Sequence, residues 1–297
     1  MEASGCRIIR YGKENAEFSI YDVADIHWLN RGISKHHLFE DIRRIKKDPY
    51  ALFFQGGDYG EWIFPGDPRL DWEAFDKDLK VVDLAYLGFL IGKAMIDIFT
   101  PVKEKCLGFC IGNHEFTAIA RHSQAKVHEE ICGKLDVPNM RFSGFTDVYF
   151  VYEKGAKFPL VTISDKPPKK FVSRLRCFIH HGMGAANTAG GKINKLKSLV
   201  DMVDADLVMM GHVHEQFAKA FLKLSPNQDC SKIGQKVTMG MITGSYLRTY
   251  APDFTGYGEI RGYSPTTLGA TRARYIPSER ILTVENRADN VGLKGDG

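Results

Sequence analysis

Short apolar runs alternate with amphipathic segments along the first two thirds of this 297-residue chain. A run of four to eight apolar residues bounded by turn residues is typical of a buried strand in an α/β protein. A segment whose apolar residues recur every three or four positions is typical of a helix with one face on the core. The alternation therefore predicts a mixed α/β fold, in which strands are followed by loops and helices.

The apolar runs predict strands, and the periodic segments between them predict helices. Strands are predicted over residues 17–24, 51–55, 106–111, 146–152, 158–163, 176–179 and 206–210. Helices are predicted over residues 34–47, 71–99, about twenty residues after 115, and 191–203. Ser34 and Asp71 are suitable N-caps for the first two helices. The strands 146–152 and 158–163 are expected to pair around Lys154 and Gly155.

The pattern changes after residue 214, where strand-like runs dominate and no long helix is predicted. The runs cover residues 216–224, 236–242, 245–250, 271–276 and 281–285, with a Gly- and Tyr-rich loop at 254–263. Because no repeat or linker divides the chain, we predict a single domain over residues 1–297. Residues of about 18–215 would form the core that carries the motifs, and about 216–290 would complete the sheets.

Five polar motifs each follow a predicted strand. They are Asp25-Ile26-His27, Gly56-Gly57-Asp58, Gly112-Asn113-His114-Glu115, His180-His181-Gly182 and Gly211-His212-Val213-His214. In open α/β sheets, the loops at the carboxyl ends of the strands converge and build the site. Oxygen and imidazole ligands without a thiolate favour Mn, Fe, Zn, Co or Ni and argue against a structural zinc site. The motifs offer enough ligands for two cations that share a bridging carboxylate.

Asp58 is the natural bridging ligand, because the glycines before it let the backbone bend tightly. Asp25 and His27 lie two residues apart at a strand end and would supply an oxygen and a nitrogen to the first cation. The other predicted ligands are Asn113, His181, His212 and His214. His180 competes with His181, and we choose His181 because adjacent strand residues point to opposite faces.

Together the motifs resemble the signature of the calcineurin-like metallophosphoesterase superfamily, over about residues 18–215. The resemblance implies a four-layer α/β/β/α sandwich of two mixed sheets flanked by helices. It implies one metal on Asp25, His27, Asp58 and His214, and a second on Asp58, Asn113, His181 and His212. It implies that Asp58, Asn113 and His114 form the catalytic group, with His114 as the acid. Residues 182–196 and 257–265 are also similar to phage and bacterial members assigned only as phosphoesterases.

One position departs from a branch of that superfamily. Purple acid phosphatases carry a tyrosine three residues after the bridging aspartate, and this chain has Glu61 there. A redox-active iron site of the purple type is therefore not expected. We expect two divalent ions, with Mn as the first choice and Fe, Zn, Ni, Co or Mg as alternatives.

The predicted function is hydrolysis of phosphate mono- or diesters by a hydroxide that bridges the metals. Nucleotides or nucleic acids are the favoured substrates, since basic stretches and aromatic residues flank the motifs. The candidate substrate-binding residues are Trp28, Trp62, Arg248, Tyr257 and Arg261. The alternatives are a nuclease resembling the double-strand-break repair enzymes of the superfamily, a phosphomonoesterase acting on proteins or small molecules, and a non-catalytic scaffold. A scaffold would have lost ligands, and this chain retains the full set.

Composition adds limits to this prediction. The net charge of +4 and the pI of about 8.6 suit an anionic substrate, but they are below the range of dedicated nucleic-acid-binding domains. The N-terminus has no apolar segment typical of a signal peptide, and the most apolar stretch, 81–99, is interrupted by charged residues. We therefore expect a cytoplasmic protein without a membrane partner, and we leave the oligomeric state and a phage origin open.

Overall fold

The computed structural model describes residues 2–64, 67, 70–122, 125–184, 186, 188–227, 229–251 and 255–285, without the side chains of 2–4, 120–122, 125 and 257. Within these residues the chain forms thirteen strands and six α-helices. The strands are β1 Glu2–Tyr11, β2 Phe18–Val23, β3 Ala51–Gln55, β4 Cys106–Cys110, β5 Asn139–Arg141, β6 Ser143–Tyr152, β7 Leu160–Ser164, β8 Ser173–His180, β9 Leu207–Met210, β10 Phe217–Pro226, β11 Ile233–Ile242, β12 Thr271–Ile276 and β13 Ile281–Glu285. The helices are α1 Lys35–Lys47, α2 Leu87–Phe99, α3 Asn113–His122, α4 Ala125–Leu135, α5 Ala189–Met202 and α6 Tyr257–Ile260.

The strands form two mixed sheets. The first has the order β10-β11-β9-β8-β6-β1-β7, and the second has the order β13-β12-β2-β3-β4-β5. In the second sheet β2, β3, β4 and β5 are parallel, and in the first β8, β9 and β11 are parallel. The carboxyl ends of each parallel group therefore lie along one edge of its sheet.

The sheets pack face to face, and helices cover their outer faces. On β3, Leu52 points into the core between the sheets, and the next residue, Phe53, points into the core under α1, α2 and α4. On β9, Met209 points between the sheets, and Val208 packs with Leu196 of α5. Because successive strand residues face opposite ways, these strands contribute side chains both to the core between the sheets and to a core under the helices. The predicted four-layer α/β/β/α sandwich is confirmed.

The predicted strands are confirmed to within three residues at each end, with one exception. The prediction over residues 245–250 is wrong, because this segment makes only isolated bridges at Ser245 and Leu247. The single helix predicted after residue 115 is replaced by α3 and α4. Ser34 stands at the N-cap of α1, but its side chain makes no cap hydrogen bond. In the described part of the chain, no helix combines the length and hydropathy needed to cross a membrane.

The helix predicted over residues 71–99 is wrong in extent. Asp71 caps only the short 3₁₀ turn Trp72–Ala74, and a second 3₁₀ segment, Val81–Tyr86, precedes α2. Phe89, an apolar residue within this predicted helix, is 68% exposed. Some of the apolar positions therefore lie on the surface, and periodicity alone does not report which positions are covered.

The predicted pairing of strands 146–152 and 158–163 is wrong, because β6 and β7 do not pair with each other. β1 lies between them, parallel to β6 and antiparallel to β7. Charged residues interrupt the apolar pattern of β1, and one of them, Arg7, is fully buried. Its guanidinium Nε donates to the carbonyl of Leu107 at 2.9 Å, which satisfies part of the buried charge. The N-terminal strand was missed because its stability comes from these distant partners.

Candidate metal centre

The five motifs come together where the carboxyl ends of five strands meet. The first three motifs follow β2, β3 and β4 of the second sheet. The fourth and fifth follow β8 and β9 of the first sheet. The site therefore draws side chains from both sheets at one end of the sandwich, as expected for loops after parallel strands.

Five of the seven predicted ligands have a left-handed backbone. The φ angles of Asp25, His27, Asp58, His212 and His214 are +53°, +51°, +48°, +70° and +52°. Residues other than glycine adopt this region infrequently, at a cost of about 1 kcal/mol or more each. Such strain persists only where the surrounding structure imposes it, and it is concentrated at functional sites.

Two glycines let the motif loops approach one another. Gly57 has φ of +96°, and a Cβ atom there would lie 2.6 Å from the Gly112 nitrogen and 2.7 Å from His181 Nδ1. A Cβ atom on Gly112 would in turn collide with the carboxylate of Asp58. The loops after β3 and β4 can therefore pack against His181 only when these two positions are glycine.

Asp25, His27 and His214 form the first group of ligands, and their ligand atoms lie within 4.8 Å of one another. Asp25 Oδ2 accepts the backbone N–H of His212 at 2.9 Å, and His27 Nδ1 lies 3.1 Å from Glu61. Of their other ligand atoms, Asp25 Oδ1 lies 3.2 Å from His214 Nε2, whereas His27 Nε2 is buried and has no hydrogen-bond partner among the described residues. A divalent cation between these atoms would remove the cost of leaving His27 Nε2 unpaired.

Asp58, His181 and His212 form the second group, within the same 4.8 Å limit. His181 Nδ1 lies 2.9 Å from the carbonyl oxygen of Gly56, which can only accept, so Nδ1 carries the proton. The other ring nitrogen, Nε2, lies 3.2 Å from Asp58 Oδ2 and 3.0 Å from Asn113 Oδ1. An imidazole nitrogen, a carboxylate oxygen and an amide oxygen thus converge, a donor set that suits a divalent transition metal.

In the absence of a cation, protons on histidine balance the buried carboxylates. Burial lowers the pKa of His181, but Asp58 outweighs that effect and raises the pKa to about 10. Burial likewise lowers the pKa of His27, and its contact with Glu61 raises it to about 9. For the Asp58 carboxyl, burial raises the pKa, but His181 and its neighbours hold it well below the ordinary value. A bound cation would take over from these protons as the positive charge that balances the carboxylates.

His180 takes no part in either ligand group. Its Nδ1 accepts the backbone N–H of Gly182 at 2.9 Å, and burial, with a contribution from His181, lowers its pKa to about 4. The structure places His181, the residue chosen from strand alternation, in the second group. The two adjacent rings therefore serve different purposes, one at the centre and one in the loop after β8.

Glu61 has a place in the site that the sequence analysis did not assign to it. Its Oε2 lies 3.1 Å from His27 Nδ1 and accepts the side-chain amide of Asn30 at 3.2 Å. Its Oε1 lies 3.8 Å from His114 Nδ1. A carboxylate on the far nitrogen of a ligand histidine orients the ring and increases its basicity. The sequence feature that could have indicated this role is the position of Glu61 three residues after Asp58.

Glu115 joins the loops after β3 and β4, a role that was also missed. Its carboxylate accepts the backbone N–H groups of Asp58 at 2.8 Å, Gly60 at 3.1 Å and Gly112 at 2.7 Å. It also accepts the indole N–H of Trp62 at 3.0 Å. Burial raises its pKa to about 7. The glutamate of the third motif is therefore a structural link and not a predicted metal ligand.

His114 lies outside the ligand groups of Asp25 and Asp58, and it forms a third cluster with His27 and Glu61, whose ligand atoms also lie within 4.8 Å of one another. Its backbone N–H donates to Asp58 Oδ1 at 2.8 Å. Its ring lies edge-on to that of His27, with 4.7 Å between the ring centroids. These contacts hold the His114 ring at the wall of the cavity above the centre.

A cavity of about 320 Å³ opens over both ligand groups. The five predicted substrate-binding residues differ in their position relative to it. Arg248 lines it. Trp62 does not reach it, because its ring is buried in the core and its N–H is held by a carboxylate. Trp28 packs against α1, and Arg261 is exposed elsewhere. The side chain of Tyr257 lies outside the described residues.

Comparisons with known proteins add little to this geometry. No protein-family model matches the chain, and no curated protein matches it. One similar solved structure is a conserved uncharacterised protein from Streptococcus pneumoniae described as a predicted phosphoesterase, with 14% identity, a TM-score of 0.32, and coverage of 87% of this chain and 83% of that one. Another is a double mutant of Vps29 from Entamoeba histolytica, with 10% identity, a TM-score of 0.29, and coverage of 90% and 97%. The function therefore has to be inferred from the site itself.

Proposed function

We propose that this chain is a metal-dependent phosphoesterase with a dinuclear site, which hydrolyses phosphate mono- or diesters. The observation that carries the proposal is the pair of ligand groups, drawn from both sheets and set in strained backbone beneath one cavity. Two divalent ions close together are the common device for in-line displacement at phosphorus. The substrate would be a nucleotide, a nucleic acid or another phosphate ester, and a cytoplasmic location remains a prediction.

The ligand assignment follows the two groups. Asp25, His27 and His214 would hold one ion, and Asn113, His181 and His212 would hold the other. Asp58 would bridge them, since its carboxylate lies in the second group and its charge also raises the pKa of His27 in the first. When bound, the two ions would activate a water molecule and neutralise charge on the phosphate. Mn is the first choice for both positions, with Fe, Zn, Ni, Co or Mg as alternatives.

The protein would supply the proton and the orientation. His114 would donate a proton to the oxygen of the leaving group, because its ring is held at the cavity without belonging to either ligand group. Glu61 Oε1, 3.8 Å from His114 Nδ1, would favour the protonated ring. Asn113 is the first residue of α3, so the positive end of that helix dipole lies at the centre and favours an anionic phosphate.

The test is a comparison of Asp58→Asn and His114→Ala with the full wild-type chain, each loaded with Mn²⁺. We expect Asp58→Asn to lose bound metal and to lose activity on p-nitrophenyl phosphate and its bis ester by on the order of 10³-fold. We expect His114→Ala to retain metal and to lose about 10²–10⁴-fold on alkyl esters, whose leaving groups need a proton. Its loss of activity on p-nitrophenyl esters should be much smaller, because p-nitrophenolate can leave without being protonated.

The control is His36→Ala, which removes an exposed histidine of α1 and should leave all activities unchanged. Metal content is measured by elemental analysis and folding by circular dichroism. Full metal-stimulated turnover in Asp58→Asn, or a metal-loaded wild-type chain that hydrolyses none of the esters, would refute the proposed function.

A further inference from the structure

The cavity above the metal centre limits the size of what it can hold. Its volume is about 320 Å³. This value is near the lower end of the range for small-molecule sites. Because the cations and the phosphate occupy part of that space, the rest fits an organic group of about nucleoside size at most. A duplex or a long single strand does not fit inside it.

One wall of the cavity is formed by residues 247–266, in so far as the structure describes them. Thr249 Oγ1 donates to the carbonyl of Ser264 at 3.0 Å, and Thr266 Oγ1 donates to the carbonyl of Leu247 at 2.7 Å. These bonds hold two parts of the segment together across the loop. A polynucleotide needs an open groove that continues on both sides of the cleaved bond. A fixed wall at this position argues against such a groove.

The chemistry of the lining also disfavours a polyanion. Its basic side chains in the described residues are Arg248 and Lys192. Lys192 forms an ion pair with Glu215, with its Nζ 2.7 Å from Oε2, so part of its charge is already balanced. Proteins that hold nucleic acid rely on many lysines and arginines along the backbone and on aromatic platforms for the bases. A pair of basic residues over the metal centre is enough for one phosphate group and not for a chain of them.

The remaining lining offers apolar contact. Ile63 and Ala74 line the cavity from the segment after β3, and Val213 and Leu247 line it from the opposite segments. Tyr263 adds an aromatic ring. Side chains of this kind gain free energy by covering aliphatic or aromatic surface of a ligand.

We infer that the substrate is a small phosphate ester whose organic group is uncharged, aliphatic or aromatic, and no larger than a nucleoside. Polynucleotides are not substrates. This inference rests on the proposed function and specifies the substrate class of that site. Arg248 meets the phosphate in this arrangement, and Leu247 contacts the organic group.

The first experiment compares substrates on the Mn²⁺-loaded full chain. The small esters are p-nitrophenyl phosphate, its bis ester, and the methyl ester of thymidine 5′-monophosphate, whose alkyl leaving groups match those of DNA. The polymers are single- and double-stranded oligodeoxynucleotides at equal phosphate concentration. We expect kcat/KM for the methyl thymidine ester to exceed that for either DNA by at least about tenfold. A smaller ratio would overturn the inference and leave the proposed function intact. Absence of turnover on every substrate would overturn both.

The second experiment fills the cavity with Leu247→Trp. We expect KM for the thymidine ester to rise by at least about tenfold with little change in kcat, because the metal centre is untouched. Bound Mn²⁺, measured by elemental analysis, should stay at the wild-type level. The matched control is Leu222→Trp on β10, where the leucine is 62% exposed and no effect is expected. Ala74→Leu reduces the same cavity if Leu247→Trp fails to fold. An unchanged KM in a folded, metal-loaded variant would overturn the assignment of this cavity to the substrate.

Discussion

At the scale of single residues, each candidate ligand is oriented by a contact to a second group. Glu61 holds His27, the carbonyl of Gly56 holds His181, and the backbone N–H of His212 holds Asp25. Each contact leaves a nitrogen or oxygen directed at the centre. Because such outer contacts fix the direction of the ligand atoms, we expect them to affect metal affinity strongly.

The adjacent histidines after β8 give the sharpest residue-level prediction. We expect His181→Ala to lose the second metal ion, because it removes a nitrogen from the group that contains Asp58. His180→Ala should keep both ions, since that ring only accepts the N–H of Gly182. Elemental analysis after dialysis against Mn²⁺ measures the number of ions per chain. The assignment of His181 fails if His180→Ala is the variant that loses metal.

Glu61 allows a second prediction at this scale. We expect Glu61→Gln to weaken binding of the first Mn²⁺ by about 10–100-fold, because a neutral amide no longer increases the basicity of His27. Titration calorimetry on metal-free protein gives the affinity. Asp76→Asn is the control: it also converts a carboxylate to an amide, but its partner is the surface residue Lys35, at 2.9 Å. Equal affinities for Glu61→Gln and wild type would contradict the role of Glu61.

At the scale of elements, α4 is joined to its neighbours through a buried histidine. His128 Nε2 lies 3.1 Å from Asn139 Oδ1 on β5, and Nδ1 lies 3.3 Å from the hydroxyl of Tyr59. Nε2–H donates to the amide oxygen and Nδ1 accepts from the hydroxyl, so the neutral ring satisfies both contacts. Burial lowers the pKa of His128 from 6.5 to about 4, against a smaller raising effect of Asn139.

This shift predicts a loss of stability in mild acid. Between pH 6.5 and about 4 the unfolded chain binds a proton at His128 that the folded chain does not. The free energy of unfolding should therefore be independent of this group above about pH 7, and should fall as the pH drops through that window. A full shift of this size corresponds to on the order of 3 kcal/mol.

Urea unfolding of metal-free protein at pH 7 and pH 5 measures the effect. His128→Gln keeps an amide donor and acceptor but does not titrate, so its stability should decrease less between the two pH values than that of wild type. His36→Ala removes an exposed histidine and serves as the control. Equal decreases in His128→Gln and wild type would show that His128 does not carry the dependence.

At the scale of the whole molecule, the candidate metal centre draws its residues from both sheets. The first group joins Asp25 and His27 after β2 to His214 after β9, and the second joins Asp58 after β3 to His181 after β8. Bound ions would therefore crosslink the sandwich at one end. They would also compensate for the unpaired buried Nε2 of His27 and for the left-handed backbone.

We therefore expect metal to stabilise the whole fold. At a free Mn²⁺ concentration of 100 times Kd, one site adds about 2.7 kcal/mol to the free energy of unfolding. Thermal unfolding with Mn²⁺ and with EDTA measures this change, and Asp58→Asn should lose most of it. An unfolding temperature that is the same with and without metal would contradict a resident metal centre.

Local patterns were sufficient to predict most of the strands, though not β1, and to place candidate ligands directly after them. Leu52, Phe53 and Phe54 form an apolar run followed by glycines and Asp58, and no distant contact is needed to recognise a buried strand ending at a ligand. The alternation of side chains along β8 was enough to prefer His181 to His180. The four-layer architecture followed from the motifs and their resemblance to a known superfamily.

The tertiary structure decided the features that depend on partners distant in sequence. β1 is a strand because β6 and β7 flank it, and Arg7 is tolerated there because Leu107 accepts from it. Trp62 lies in the core and Arg248 lines the cavity, although the sequence alone made both candidates for substrate binding. A residue's type sets which contacts it can make, but packing against distant segments sets which contact forms. The sequence by itself therefore determined which oxygen- and imidazole-bearing residues follow the strand ends, and only the tertiary structure decided what surrounds them.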